Sequence, residues 1–525
     1  MRWDPIAFSV FIFFFLVVTV LGFVAARWRR GDLNQLNEWG LAGRRFGTVI
    51  TWFLLGGDLY TAYTFIAIPA AMYGVGVVKG YFAVPYTILV YPLIFVLMPK
   101  FWSVCKQRGY VTAADFVRDR FGSNELALAI AFTGILATMP YIALQMYGIQ
   151  VCIAALGIPT AISLGGLSLD IPLLIAFIIL AAYTYTSGLR APAMIALVKD
   201  VMIFIVLFAT IIIIPIQLGG FGPIFNAAHQ KALANPKTFF DLLSPKQYVA
   251  YTTLALGSAL ALFLYPHSLT GVLSSNSQRV VKRNTALLPI YSLMLGLLSF
   301  LGYMAIAAKV HLFGTYGANS SIPALINQSF DPWFAGFAFA ALAIGALVPA
   351  AVMSIAAANL FTRNIYKAYL KRDATDRQES QVAKITSLVV KFGALLFILY
   401  VSTQQVVNFQ LLGGIWILQT LPAVYLGLYT NWFNRWAMLI GWAVAMIAGT
   451  WMFIAAGNSP TTLVFGINIY IAVAVLILNL LLAVVLTPIF EAIGARRGRD
   501  LTRPSDYEEE LAPVEPVEAG REALG

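Results

Sequence analysis

An aspartate in the middle of a long apolar stretch constrains this chain more than any other feature. Asp58 follows Gly56 and Gly57 and precedes Pro69 within residues 46–72, which hold no other charged side chain. A carboxylate at the centre of a membrane span costs roughly 3 kcal/mol on insertion scales unless it faces a polar cavity or has a partner. Asp58 is therefore predicted to belong to a functional site.

The composition is that of an integral membrane protein. The mean hydropathy is +0.81, and 11% of the 525 residues are charged, against about 25% in soluble domains. A transmembrane helix needs about 20 mostly apolar residues, so the sequence predicts an all-α membrane protein with about thirteen spans. They lie near residues 5–26, 46–72, 80–100, 125–156, 168–188, 193–218, 248–275, 285–309, 333–362, 385–402, 405–430, 436–456 and 464–490.

The basic residues predict how the chain is oriented. Most of them lie in loops that follow odd-numbered spans, with dense clusters within residues 100–120 and 363–384. Because such loops face the cytoplasm, the N-terminus is predicted outside and the C-terminus inside. The first span is too long for a signal peptide and ends in the basic segment 27–30, so it is predicted to stay uncleaved. The net charge of +11 is then a topology signal, and no nucleic-acid partner is expected.

Two spans contain residues that interrupt a membrane helix. The second holds Gly56, Gly57, Asp58 and Pro69, and the seventh holds Leu264-Tyr-Pro-His-Ser-Leu-Thr-Gly271. Non-helical backbone at membrane depth must be buried or face a water-filled cavity. The two spans run antiparallel, and paired interruptions in inverted halves indicate the binding site of a secondary transporter. Ordinary Gly and Pro kinks are the alternative.

Several stretches resemble the sodium:solute symporter family. They are Val111-Thr-Ala-Ala-Asp-Phe-Val-Arg-Asp-Arg-Phe-Gly122, Tyr183-Thr-Tyr-Thr-Ser-Gly-Leu-Arg-Ala191, Phe361-Thr-Arg-Asn-Ile-Tyr366 and Leu411-Leu-Gly-Gly-Ile-Trp-Ile-Leu-Gln-Thr-Leu-Pro422. Ser187 replaces the first glycine of the family signature. Residues 57–65 and 137–145 are similar to the bacterial monocarboxylate permease branch.

This resemblance implies a LeuT-type fold, a five-plus-five inverted repeat with broken helices. The predicted organisation is an N-terminal extra span and loop (1–45), a first repeat (46–218), an outside loop (219–247), a second repeat (248–430), C-terminal extra spans (431–499) and a disordered cytoplasmic tail (500–525). The tail prediction also follows from its composition, which is rich in Glu, Pro and Ala and low in apolar residues.

The resemblance also implies a function. It predicts a symporter of the bacterial plasma membrane that imports short-chain monocarboxylates by alternating access with H+ or Na+ and without a cofactor. Pyruvate, lactate, acetate and propionate are the expected substrates, with alanine as a further candidate. A Na+-coupled carrier of another small solute and a channel-like facilitator are the alternatives.

The sodium site that the family implies is only partly present here. Its carbonyl positions fall on Gly57, Tyr60 and Gly345. Its two hydroxyl positions fall on Val348 and Pro349, which carry no hydroxyl, and an alignment gap would bring only Ser354 to one of them. The carbonyl half of the site is therefore compatible and the hydroxyl half is not.

A buried lysine offers another cation at this position. Lys199 lies nine residues beyond Arg190, about 13 Å along a helix, which is close to mid-membrane. We predict that Lys199 occupies or borders the sodium position with Asp58 or Asp200 as its partner, so that protonation of the pair couples proton and substrate. A static ion pair, and ordinary sodium coupling through a degenerate site, are the alternatives.

The two helix breaks predict where a substrate carboxylate binds. Half-helix N-termini supply positive potential through free N–H groups and the helix dipole. The side chains predicted to complete this pocket lie beside the breaks or on the fourth span and are Tyr60, Thr61, Thr64, Tyr141, Gln145, His267 and Ser268. Trp416 and Gln419 are further candidates. Interhelical packing is the alternative for each.

Other function classes lack their motifs. The dipeptide Gly-Lys never occurs, which excludes the phosphate-binding loop of an ATP-driven pump. The three histidines are scattered and no His-Glu-x-x-His is present, so an intramembrane metalloenzyme is not expected. The predicted partners are the substrate and the lipid bilayer.

Overall fold

Backbone N–H and C=O groups find no water inside a bilayer, so a spanning chain must satisfy them within helices. The computed structural model describes residues 3–28, 31–158, 162–164, 167–169, 171–400 and 406–508. Helices α1 to α11 are Pro5–Val24, Leu36–Leu41, Thr48–Leu59, Ile68–Gly74, Val77–Gly80, Ala83–Arg108, Ala113–Phe121, Asn124–Ala155, Ile171–Ser187, Arg190–Gln217 and Phe221–Ala234. Helices α12 to α23 are Tyr248–Leu262, Pro266–Leu273, Gln278–Leu287, Pro289–Ser299, Leu301–Ala307, Ser321–Ser329, Pro332–Phe361, Asp376–Tyr400, Val406–Leu418, Leu421–Val424, Arg435–Ala455 and Ile471–Ala492.

Other regular structure is short. Tyr63–Ala67 and Thr362–Leu370 are π-helical. Four strands form two antiparallel pairs, Ile162–Leu164 with Leu167–Leu169 and Thr461–Val464 with Ile467–Tyr470. Helix α11 lies within the predicted outside loop 219–247, and α17 lies in the connection between α16 and α18.

Three of the membrane spans are broken. Within the described chain, nine helices are long and apolar enough to cross a membrane, and three bent pairs raise the number to twelve. The pairs are Thr48–Leu59 with Tyr63–Gly74, Pro245–Leu262 with Pro266–Leu273, and Asn408–Leu418 with Leu421–Leu428, bent by 44°, 46° and 42°. The first two breaks confirm the predicted interruptions, and the third is additional.

The predicted count of thirteen spans is not confirmed. The span predicted at 168–188 corresponds to α9, which has 17 residues and is shorter than the other spans. Its predicted first residues fall in a β-strand and on Asp170, which lies outside the described part of the chain.

Helix α18 is the centre of the molecule. It is rich in alanine, buried on all sides, and packs against α1, α8, α10, α13 and α19. A helix that is apolar all round belongs in the interior, and small side chains let its neighbours approach closely. Helix α18 therefore supports α10 and the first two broken spans.

Backbone contacts tie the first and second broken spans together at one end of the molecule. Phe46 N donates to Ser274 O (3.1 Å) and Asn276 N donates to Phe46 O (2.9 Å), so the start of the first broken span meets the end of the second. This end also carries residues 498–508, and we call it the tail face. At the opposite face, Phe240 exchanges backbone hydrogen bonds with Val75 and Val77 (2.9 Å each).

The first part of the tail is ordered, which corrects the prediction of disorder from residue 500. Asp500 pairs with Arg120 and Asp506 with Arg108 (2.6 Å each), and Leu501 N donates to Asp119 O (2.8 Å). The composition of the tail predicted no structure, but its carboxylates meet arginines at the end of α6 and on α7. Residues 509–525 lie outside the described part.

We expect the double variant Asp500→Ala/Asp506→Ala to release this segment. Losing two partly exposed ion pairs, each worth about 0.2–1 kcal/mol, raises the undocked population by roughly twofold to thirtyfold. Trypsin cleavage after Arg497, a bond whose two residues are the same in both proteins, should accelerate accordingly in detergent-solubilised protein when followed by mass spectrometry. Glu508→Ala is the control, since no side-chain contact of Glu508 is found among the described residues. Equal cleavage of the double variant and the wild type would contradict a docked tail.

Candidate functional site

Side chains satisfy the backbone groups that the first break sets free. Thr64 Oγ1 accepts a hydrogen bond from Thr61 N (2.8 Å) and donates to Thr61 O (2.9 Å). Thr61 Oγ1 accepts from Tyr63 N (3.1 Å), and Gln145 Oε1 accepts from Ala62 N (3.0 Å). An unpaired buried N–H costs about 1–3 kcal/mol. Three of the predicted substrate residues, Thr61, Thr64 and Gln145, thus hold the break in its non-helical conformation.

Lys199 brings a cation to the same break. Its Nζ donates to Gly57 O (2.5 Å) and to Tyr60 O (3.2 Å), the two carbonyls that the family resemblance aligns with sodium ligands. Asp200 Oδ1 lies 3.2 Å from Nζ, and both side chains are fully buried. Of the two predicted partners of Lys199, it is therefore Asp200 that makes the ion pair.

Hydrogen bonds from two tyrosines complete a circuit that includes this ion pair. Tyr291 on α15 donates its hydroxyl to Asp200 Oδ2 (2.7 Å), and Tyr60 donates its hydroxyl to Tyr291 O (3.1 Å). Buried ion pairs are tolerated when further hydrogen bonds satisfy the remaining lone pairs. Tyr291 was not predicted, because an isolated tyrosine in an apolar span gives no signal in the sequence.

Two adjacent glycines make room for this arrangement. A Cβ on Gly57 would lie 2.8 Å from Lys199 Nζ, and a Cβ on Gly56 would lie 2.2 Å from ring carbons of Tyr291. These glycines admit the ammonium and the aromatic ring to the helix surface.

Asp58 lies at the second break rather than beside Lys199. Ser268 donates its hydroxyl to Asp58 Oδ2 (3.1 Å), and His267 Nε2 lies 3.4 Å from the same oxygen without the alignment of a hydrogen bond. Both residues belong to the first turn of α13, the positive end of its helix dipole. Asp58 Oδ1 and His267 Nδ1 are buried and have no hydrogen-bond partner within the described chain.

Helix α18 adds little to a cation site. Ser354 donates its hydroxyl to Ala351 O of its own helix (2.8 Å). Gly345 faces α10, where a Cβ would lie 3.2 Å from Ile203 Cδ1. The role of Gly345 and Ser354 in ion coupling stays a prediction.

A small chamber lined with tyrosines lies between the two breaks and α20. Its volume is about 30 Å³, and its lining is Tyr63, Tyr86, Tyr141, Ser258, Ala261, Leu262, Tyr265, Gln410, Leu411, Gly414 and Tyr470. Tyr265 Oη and Gln410 Oε1 are buried without a hydrogen-bond partner in the described structure. Only Tyr141 of this set was predicted, since the others meet through packing of distant spans.

The chamber lies between a large and a small cavity. A vestibule of about 320 Å³ opens on the face opposite the tail and shares Tyr63 and Leu411 with the chamber. On the tail side, a cavity of about 20 Å³ is lined by residues that include Thr112, Pro266 and Thr420. Of these two cavities, the one on the vestibule side is therefore much the larger.

The two further candidates on the eleventh span point away from this chamber. Trp416 donates to Thr450 Oγ1 (2.9 Å), and Gln419 donates to Ile415 O (2.9 Å) and Ala472 O (3.3 Å). They join α20 to α22 and α23.

Comparison with known proteins places the chain among transporters. The profile of the sodium:solute symporter family matches residues 39–449. A "Monocarboxylate transport permease protein" of Rhizobium johnstonii is 54% identical over 93% of this chain and 97% of the relative. The "Uncharacterized symporter YodF" of Bacillus subtilis is 32% identical over 90% and 92%. The "Sodium/proline symporter" of Escherichia coli is 22% identical over 74% and 76%.

A solved structure shares the fold. It is described as the substrate-bound outward-open state of a Na+-coupled sialic acid symporter, with a TM-score of 0.72 and 16% identity, and it covers 93% of this chain and 98% of the other. This likeness confirms the predicted LeuT-type fold.

We expect Gly56→Ala to destabilise the protein. The added methyl group overlaps the Tyr291 ring, and overpacking of this kind costs about 1–3 kcal/mol. Gly296→Ala on α15 is the matched control, because its Cβ would meet nothing closer than 3.7 Å. Thermal unfolding monitored by size-exclusion chromatography should show a lower midpoint for Gly56→Ala only. A midpoint equal to that of the control would show that the ring is not held against this glycine.

Proposed function

This chain belongs to the sodium:solute symporter family, and we propose that it imports short-chain monocarboxylates together with protons. It is a multi-pass membrane protein and a symporter of a small solute. The observation that carries the coupling part of the proposal is the Lys199 ammonium on the carbonyls of Gly57 and Tyr60.

The substrate class is supported by the relative and by the chamber. The Rhizobium johnstonii protein, 54% identical, is named for monocarboxylate transport. The chamber is small, and the Tyr265 hydroxyl needs a hydrogen-bond acceptor, which a carboxylate would supply. The aromatic rings around it suit a short apolar tail.

The oxygen atoms at the first break suit an ammonium group better than a sodium ion. Sodium prefers several oxygen ligands, but Lys199 already donates to both carbonyls of the break. Val348 and Pro349 occupy the two positions where the family's sodium site has hydroxyl ligands. The Ser354 hydroxyl donates a hydrogen bond to a carbonyl of its own helix, α18. Lys199 is thus a fixed cation where the family binds a mobile one.

Asp58 is the residue that we propose takes up the transported proton. Its carboxylate occupies the positive end of α13, which is also the position predicted for the carboxylate of the substrate. Two negative charges at one site repel each other, and a proton on Asp58 removes one of them. Binding of a proton and of an anion are then mutually favourable, as symport requires.

Ion replacement tests this function directly. In proteoliposomes, uptake of labelled lactate or pyruvate should persist when sodium is replaced by choline, and accumulation should be lost on adding a protonophore. At one proton per substrate, a gradient of one pH unit supports about tenfold accumulation. Protein-free liposomes correct for diffusion of the protonated acid. Strict sodium dependence would overturn proton coupling, and the absence of counterflow with preloaded substrate would indicate a channel.

The variants Lys199→Met and Asp58→Asn are expected to lose concentrative uptake. Each variant removes one charge from the coupling site. Asp58→Asn should nevertheless retain counterflow, because exchange of substrate for substrate needs no net proton movement. Lys391→Met is the matched control, since Lys391 is equally buried in a membrane span but contacts Ser387 (3.2 Å) instead of a helix break. Wild-type accumulation by both site variants would reject a coupling role.

A further inference from the structure

The described residues that line the vestibule include a single charged side chain. Among the described residues that line it, Lys79 is the one that carries a charge. The remaining polar groups are neutral: the hydroxyls of Tyr63, Tyr251 and Thr461 and the amides of Gln247, Asn319, Asn408 and Asn468. Among the described lining residues, Lys79 therefore makes the largest contribution to the electrostatic potential of this cavity.

The backbone around Lys79 is held in place. Lys79 lies on α5, directly after the segment in which Val75 and Val77 exchange hydrogen bonds with Phe240. Gly76 between them has φ +88°, and a Cβ there would lie 2.0 Å from Phe240 O. The short helix is thus anchored to the connection that follows α11, and its lysine stays at the vestibule.

The charge of Lys79 is not neutralised by the described part of the chain. Its side chain is exposed, and the ion pairs recorded for the described residues leave it without a carboxylate within 4.0 Å. A cleft with low-dielectric walls concentrates the field of such a charge and raises the local concentration of oppositely charged solutes.

We propose that Lys79 is an electrostatic selector that makes the vestibule favour small anions over cations on their way to the chamber. Its importance for transport rests on the proposed function, because only an anionic substrate would profit from it. Lys79 lines the vestibule, which a solute crosses before it reaches the helix breaks. Its charge should therefore affect the capture of substrate and not the coupling to protons.

Charged thiol reagents measure this selectivity without relying on any transported substrate. Asn319→Cys places a thiol on the vestibule wall, and both native cysteines are buried, which limits background labelling. We compare the labelling rates of an anionic and a cationic methanethiosulfonate in proteoliposomes. At roughly 10 Å in water, one unit charge changes the local concentration of a monovalent ion about twofold. Adding Lys79→Gln should therefore lower the anion-to-cation rate ratio about fourfold.

Salt and a matched lysine serve as controls. The change should shrink when choline chloride raises the ionic strength from about 0.01 to 1 M, because the Debye length falls from about 30 to 3 Å. Lys237 is an exposed lysine in the connection that follows α11, and it does not line the vestibule. The variant Lys237→Gln should therefore leave the rate ratio unchanged. A ratio that does not respond to Lys79→Gln, or that responds equally to Lys237→Gln, overturns the proposal.

Uptake kinetics show whether the selectivity serves transport. Lys79→Gln should raise KM for lactate about twofold and Lys79→Glu about fourfold at low ionic strength, with kcat unchanged, and Lys79→Arg should restore the wild-type KM. An unchanged KM in the charge-reversed variant overturns a role in substrate capture. If the wild type transports no monocarboxylate, the proposed function fails, while the reagent ratio still decides whether Lys79 selects anions.

Discussion

The structure depends on one contact, that of the Lys199 ammonium with the carbonyls of Gly57 and Tyr60. A broken helix leaves carbonyls without intrahelical donors, and in a bilayer each must find another donor. A single ammonium can donate to both carbonyls and still pair with Asp200. The same contact fixes α10 against α3, so the charge and the shape of the break are set together.

The circuit around Lys199 also explains which residues must be small. Tyr291 reaches Asp200 by passing over Gly56, and the ammonium reaches the helix backbone at Gly57. Any side chain at either position would separate the charges or displace the ring. The Gly56-Gly57 pair is therefore needed for close approach and not for flexibility, which differs from the usual interpretation of glycines at a helix break.

Sequence alone could predict the depth of Asp58 and Lys199 and the two broken spans, because an ionisable residue in an apolar span needs a buried partner. It could not choose between Asp58 and Asp200 as the partner of Lys199, since that depends on how α3, α10 and α15 pack. The third break, between Leu418 and Leu421, was missed although Pro422 directly follows it. The tyrosine chamber was missed because its members come from six separate parts of the chain. Docking of residues 498–508 was missed because their partners lie on α6 and α7.

The position of Asp58 changes how anion binding at the second break is understood. The sequence analysis predicted that free N–H groups at a half-helix N-terminus bind the substrate carboxylate. In the structure, the first turn of α13 already faces the Asp58 carboxylate, which accepts a hydrogen bond from Ser268. An anion from solution must share that positive end with Asp58 or bind elsewhere in the chamber. Sharing becomes favourable once Asp58 is neutral, because the helix dipole then acts on the substrate alone. In the mechanism that we propose, the Asp58 carboxylate and the anionic solute compete for the positive end of α13, and protonation of Asp58 favours the solute.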